Sequence, residues 1–564
     1  MPAGSSTVLA ADRFAGWKDG LRARLSHLRA FLLFYAAAVM LQWAGGAYQA
    51  EFGANPDEAA HYVTGLMVRD YIAALAPEQP MDYARNYYLH YPKVGLGHWP
   101  PVFYVVQSLW TLPFSAARPS LLLLMAALTA LLAGSLYGVL RMQYPAPAAV
   151  AAGLLMVSLP LAQELGRAVM AETLAAVLVF QAVLWFGRYL DRPRWKPAAW
   201  FGLWSSLAIL TKGTGFALAL VPGISVLASG QFRLLKRFSF WLPALVVLAL
   251  CGPWYFWAPG AQHESVSWLG HPWFRLSSFM QTPWGWVQVV GVALAPLVAL
   301  GLLKWFLDLV RKREIGGIWT AAAALLASLA IFRFLIQAAA DLRHHILAVP
   351  ALLMFLAAGM AWVLTWGPLG RVPAGRKTVV LAVALGVPVW WHACQTPRKP
   401  RYGYAEVASE LVARPELRHS VLLVSSDALG EGMFISEVAM REKRPGHIVL
   451  RASKVLFRSS WTGRGYRPLY QTPAELIRFL EDTPVGILVI DLSAPVQQEH
   501  QRLLMEVVNS HPQRWKLLAS YPQGAGRPEA WRQVRVYRLA GHEGRPVGKI
   551  RVDLRSRINA FAEN

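Results

Sequence analysis

Up to about residue 394 the chain is a succession of apolar runs separated by short basic turns. Many of the runs approach the roughly 20 residues needed to cross a bilayer. Inside lipid every backbone N–H and C=O must find its partner within the chain, which a run of that length does as a helix. The chain is therefore expected to be a polytopic α-helical membrane protein.

Composition agrees. Hydrophobic residues make up 55% of the 564 and charged residues only 15%, where a soluble domain carries about 25% charged residues. The formal charge of +23 would suggest nucleic acid in a soluble protein. Here the basic residues sit between apolar runs, so positive-inside loops and anionic membrane lipids account for them. No nucleic-acid motif is visible, and none is expected as a partner. Residues 1–30 form a basic N-terminus (Arg13, Lys18, Arg22, Arg24, Arg29), placed in the cytoplasm. The run that follows, Phe31–Tyr48, lacks a small-residue cleavage site and reads as an uncleaved anchor. The two cysteines, Cys251 and Cys394, lie at the ends of apolar runs with no reason to pair.

Orienting the runs by their basic turns gives about eleven spans: Phe31–Tyr48, Leu121–Leu140, Ala148–Ala162, Thr173–Tyr189, Ala198–Leu210, Phe216–Ala228, Phe240–Trp257, Val287–Phe306, Ile318–Phe332, Ile346–Trp366 and Val379–Trp391. This membrane domain covers 31–394. Its first loop, 51–117, falls outside the cytoplasm. It contains Trp99–Trp110, an apolar stretch that is short and opened by two prolines, and it reads as a helix at the membrane surface. Were it to span, the strongly basic clusters, such as Arg188, Arg192, Arg194 and Lys196, would no longer share one side.

From about residue 395 the pattern changes. Short strand-like runs (Val421–Asp427, His447–Leu450, Gly486–Asp491, Lys516–Ser520, Val534–Arg538) alternate with amphipathic stretches near 405–413, 473–481 and 498–510. That alternation indicates a small α/β domain with a largely parallel sheet over 395–543, which the span count places outside the cytoplasm. Asp427 and Asp491 end two of its strands, where open sheets bind ligands. Residues 544–564 form a basic tail.

Polar residues collect at the outer ends of the spans, where a membrane protein rarely carries them without a use. The most concentrated stretch is Glu51–Tyr62, just past the first span. Asn55 suits a helix N-cap, with Pro56, Asp57 and Glu58 in the first turn. Asp57 and His61 then share one face, and Glu58 and Tyr62 another. Glu164, Arg167 and Glu172 follow in the next outer loop, Lys212 in a later turn, and Arg343, His344 and His345 near the end. Each has a plain reading as a solvated or capping residue; their coincidence on one side is the stronger signal. Carboxylates can deprotonate an acceptor or hold a divalent ion. Arg and Lys suit a phosphate, Arg bidentately. No dense ligand spacing demands a metal.

Five short motifs occur in order: Asn55-Pro-Asp-Glu58, His98-Trp-Pro-Pro-Val-Phe-Tyr104, Arg167-Ala-Val-Met-Ala-Glu172, Leu210-Thr-Lys-Gly213 and Arg343-His-His-Ile-Leu-Ala-Val-Pro350. In this the chain resembles the GT-C class of membrane glycosyltransferases, of the protein O-mannosyltransferase and lipid A aminoarabinose-transferase type, over roughly residues 30–395. The resemblance implies inverting transfer of a sugar from a polyprenyl-phosphate donor to a lipid, glycan or protein acceptor, outside the inner (plasma) membrane. By position, Asp57 takes the place of the first-loop catalytic acid with Glu58 beside it. Glu172 occupies the second acidic site, where many members have Asp. Lys212 and Arg343 match basic positions expected near the donor phosphate. His61, His98 and His344 are candidate substrate-binding residues, although His344 stands where relatives often have Tyr. The loop 258–282 would cover donor or acceptor. No cofactor is implied with certainty, and a divalent cation is permitted. A transporter or flippase of a polyprenyl-linked lipid is the competing reading; it would place polar residues at mid-span, whereas these sit at span ends.

Overall fold

The computed structural model describes residues 5–95, 97–257, 272–335, 341–458, 465–492, 498–522 and 533–541. The basic tail and most of the 258–282 loop lie outside them. The chain divides into two compact units, one formed by residues 1–45, 123–167 and 171–397, the other by 46–122, 168–170 and 398–564.

The described residues of the first unit form helices joined by turns, and this is a multi-pass membrane protein. Among the described residues, six helices are long and apolar enough to cross a membrane: Arg24–Ala44, Arg118–Leu140, Glu172–Asp191, Phe238–Phe256, Gly317–Leu335 and Ala374–Cys394. Two bent pairs raise the number to eight if each is one span. The expected number of about eleven also counted shorter segments, among them Ala198–Leu210, which falls in a 15-residue helix, Trp195–Ile209.

The bends have local causes. Ala146–Ser158 and Pro160–Gly166 meet at 61°. Leu159 between them is extended, as a residue before proline prefers, and Pro160 restarts the helix. The run expected as a single span over Val287–Phe306 is broken: one helix ends at Val290, the next begins at Ala295, and they bend by 119°. Gly291 between them has φ 91, a conformation that side-chain-bearing residues rarely adopt. The helices pack backbone to backbone through glycine, as membrane helices do. A Cβ on Gly301 or on Gly359 would strike the facing backbone of Val349–Val363 or Ala295–Val310, respectively.

The second unit joins the first loop to the C-terminal α/β region. The sheet comprises β1 (Val421–Ser425), β2 (Ile448–Arg451), β3 (Val485–Asp491), β4 (Trp515–Pro522) and β5 (Gln533–Leu539), in the order β2-β1-β3-β5-β4. The first three strands are parallel; β5 runs antiparallel to β3 and to β4. The sheet is thus mixed rather than largely parallel. β4 and β5 come last and are joined sequentially, which antiparallel pairing allows without a helical crossover. The helix Ala428–Arg441, between β1 and β2, has no counterpart among the amphipathic stretches of the sequence. Its run from Gly430 to Ala439 is buried on every side, so it shows no polar face.

In this unit the first loop contributes the helices Pro56–Ala73, Pro80–His90 and Val102–Thr111. The last is ten residues long, about 15 Å and half the thickness of a bilayer core. Part-buried polar links tie the loop to the α/β region. Asp70 accepts two bonds from Arg444, at 2.6 and 3.2 Å. Tyr91 donates to Glu442 at 2.5 Å. Glu51 accepts from the backbone N–H groups of Tyr402 and Ala405, at 2.6 and 3.2 Å.

Candidate active site

Candidate residues fall into two clusters, one in each unit. In the second unit the start of Pro56–Ala73 forms as its sequence requires. The Asn55 side chain caps the helix by accepting from the Asp57 N–H at 3.0 Å, Pro56 occupies the first turn, and both acids follow.

The two acids differ sharply. Asp57 is part-exposed. Glu58 is 0% exposed. One Glu58 oxygen accepts from the Ala54 N–H at 2.9 Å. The other accepts from Arg118 at 3.2 Å and from the Val169 N–H at 3.1 Å. Burial opposes ionisation of Glu58, but Lys399, Arg118 and the two backbone donors outweigh it, so its pKa is lowered and it stays a carboxylate. Arg118 is itself almost fully buried, donating to the Ala47 and Ala50 carbonyls at 2.6 and 2.9 Å, with its guanidinium over the Phe52 ring. Glu58 is thus a tie beneath the Asp57 turn, not a group that can meet substrate.

His61 is also enclosed, 2% exposed, with Nδ1 2.9 Å from the Tyr104 hydroxyl and the rings of Trp99 and Phe103 against it. That leaves it no open edge for a substrate. His98 is part-exposed and stands edge-on to Trp99. Arg167, from the third motif, is buried and holds the carbonyls of Gln163 and Pro397, at 3.0 and 2.5 Å.

The cluster in the first unit is ionic. Glu172 opens the helix Glu172–Asp191 and is 1% exposed. Its Oε1 accepts from Lys212 Nζ at 2.5 Å and lies 3.4 Å from Arg343 Nε. Lys212 precedes the 3-10 turn Gly213–Ala219. Arg343 sits in a second such turn, Leu342–Leu347, capped by Asp341, which also pairs with the Arg343 guanidinium at 2.8 Å. Both cations keep some exposure, 15% for the Lys212 side chain and 18% for that of Arg343. His344 lies among these charges; burial, reinforced by Lys212, pushes its imidazole down to about 3. It is neutral at any physiological pH. The cluster is therefore a pair of cations held by buried acid, with a neutral imidazole alongside, and it suits an anion with several oxygens.

Among the described residues, no three His, Cys, Asp or Glu side chains group as they would around a metal ion. Two important residues carried little signal in the sequence. Arg118 stands singly at the head of an apolar run, outside every motif of the sequence. Lys93 lies in the polar first loop, yet it is 9% exposed, and its Nζ reaches the carbonyls of Pro56 and Ala428, at 3.3 and 3.2 Å.

Comparison with known proteins follows the same lines. Residues 98–257 match the family described as dolichyl-phosphate-mannose-protein mannosyltransferase. ArnT from Cupriavidus metallidurans bound to undecaprenyl phosphate is similar in structure, at 15% identity and TM-score 0.56, over 91% of this chain and 99% of that one. Its apo form gives 15% identity and TM-score 0.58, over 91% and 98%. The oligosaccharyltransferase from Archaeoglobus fulgidus in apo form gives 15% and 0.51, over 83% and 70%. Among curated proteins no sequence match accompanies these structures. At such identities the likeness establishes the fold, which is that of the GT-C membrane glycosyltransferases.

Proposed function

We propose that this membrane protein of GT-C fold is a glycosyltransferase. It moves a sugar from a polyprenyl-phosphate donor to a lipid, glycan or protein acceptor, with inversion. The observation that carries the reading is the family match over residues 98–257, on a chain that shares its fold with ArnT almost end to end. The chemistry asks for two things, and each cluster suits one. A single displacement needs a base for the acceptor proton, and Asp57 is the part-exposed acid at a capped helix start. The leaving lipid phosphate needs electrostatic stabilisation, which Lys212 and Arg343 would supply. Glu172 then orients the two cations and offsets their repulsion. Glu58 supports the Asp57 turn through Arg118. His98 and His344 keep a substrate-contact role in this reading, and His61 becomes a packing residue. The reaction takes place on the extracytoplasmic side of the inner membrane.

The test uses the full chain in membranes with a radiolabelled lipid-linked sugar. Asp57→Asn lowers turnover by about 10²–10⁴-fold while the protein still inserts and folds, and Lys212→Met weakens use of the donor. Full transfer by Asp57→Asn, or movement of label across the membrane without a new glycosidic bond, overturns the proposal.

A further inference from the structure

Lys93 is a buried amine for which the reaction as written has no use. It lies in the first loop, after the helix Pro80–His90, and its ammonium is wedged between two helices. Its Nζ donates to the carbonyl of Pro56, the residue before Asp57, and to the carbonyl of Ala428, the first residue of Ala428–Arg441. Gly432 makes room for it: a Cβ there would lie 2.8 Å from Lys93 Cε. The α/β region supplies the surrounding charges. Glu431, itself 0% exposed, accepts from Arg451 Nε at 2.9 Å and from the Ser453 N–H at 2.8 Å. Arg451 in turn donates to the carbonyl of Pro92 at 3.3 Å. The groups that act on Lys93 are thus Asp57 from the helix Pro56–Ala73, Glu431 from Ala428–Arg441, and Arg451 and Lys454 from the end of β2 and the turn after it.

We infer that Lys93 is a positioning residue for Asp57, and that the C-terminal α/β region acts on the reaction by setting the charge state of this one amine. The inference rests on the role proposed for Asp57. Burial first, and Arg451 next, push Lys93 down to about 7, against the pull of Glu431 and Asp57. Below that pH the ammonium is present, holds the Pro56 carbonyl and favours the Asp57 carboxylate. As pH rises through it the proton leaves, and both effects fade. Transfer therefore has an alkaline limb that belongs to Lys93.

The experiment measures kcat and KM for the lipid-linked donor between pH 6 and 9, with the full chain in membranes, for the wild type, Lys93→Arg and Lys93→Met. The wild-type kcat is expected to fall as pH rises above about 7 with donor KM steady. Lys93→Arg keeps its charge and loses that fall. Lys93→Met shows a kcat reduced at least tenfold and flat across the range. An alkaline fall that persists in Lys93→Arg, a wild type without one, or a Lys93→Met variant with the wild-type profile each overturns the inference. Should Lys93→Met fail to fold, the comparison of wild type with Lys93→Arg still decides. Asp57→Asn in the same assay separates the two proposals: full activity there removes the role of Asp57, whatever Lys93 does.

Discussion

At the scale of single residues, adjacent acids with the same sequence signature take opposite parts because of what covers them. Asp57 and Glu58 both sit in one helical turn, yet only Glu58 is sealed away with an arginine. Two charges taken from water repay the cost only through each other and through good hydrogen bonds, and Arg118 and Glu58 have both. Removing one leaves the other buried and unmatched. Arg118→Met is expected to destabilise the protein by about 3–5 kcal/mol, visible as a lower unfolding temperature in detergent. Replacing both, in Glu58→Met with Arg118→Met, should recover a large part of the loss, since the cycle isolates their coupling. Additive losses would show that the pair is not coupled. The sequence offered the acids as a pair but not their separate parts, because burial of Glu58 depends on an arginine sixty positions later.

At the scale of elements, the informative case is Ala428–Arg441. The sequence displays helices by contrast between a wet face and a dry one. This helix has almost no wet face between Gly430 and Ala439, and its Gly430-Glu-Gly432 start resembles a loop. It packs on Pro56–Ala73 with Gly432 in the contact, where a Cβ would lie 3.0 Å from Ala59 Cβ and 2.8 Å from Lys93 Cε. Gly432→Leu should force these elements apart. The expected outcome is more than tenfold loss of transfer and faster proteolysis within 428–441, with the membrane-spanning helices still protected. Unchanged proteolysis and activity would mean that the packing tolerates the larger side chain. By contrast, all five sheet strands and the amphipathic helices near 405–413, 473–481 and 498–510 were legible to within a few residues. The helices have an exposed face, and their periodicity shows it, while β1 and β3 are buried throughout and show as short continuous apolar runs.

At the scale of the whole molecule, the charge of the turns predicts an orientation. A reporter fused after residue 400 is expected to be extracytoplasmic, by the positive-inside count with Val102–Thr111 lying at the surface. A cytoplasmic reporter would overturn that count and the side assigned to Asp57. What the sequence alone determined is the kind of molecule: apolar runs must become helices in lipid, alternating runs must become a sheet, and an Asn-Pro-Asp-Glu start must cap a helix. These are local demands, met by neighbours in the chain. Only the tertiary structure decided which polar residues meet: Glu172 with Lys212 and Arg343, Glu58 with Arg118, Lys93 with the start of Ala428–Arg441. It also decided that the first loop and the C-terminal region form one compact unit. Those pairings join residues far apart in the chain. They depend on burial, which raises the cost of any unmatched charge and which no single stretch of sequence records.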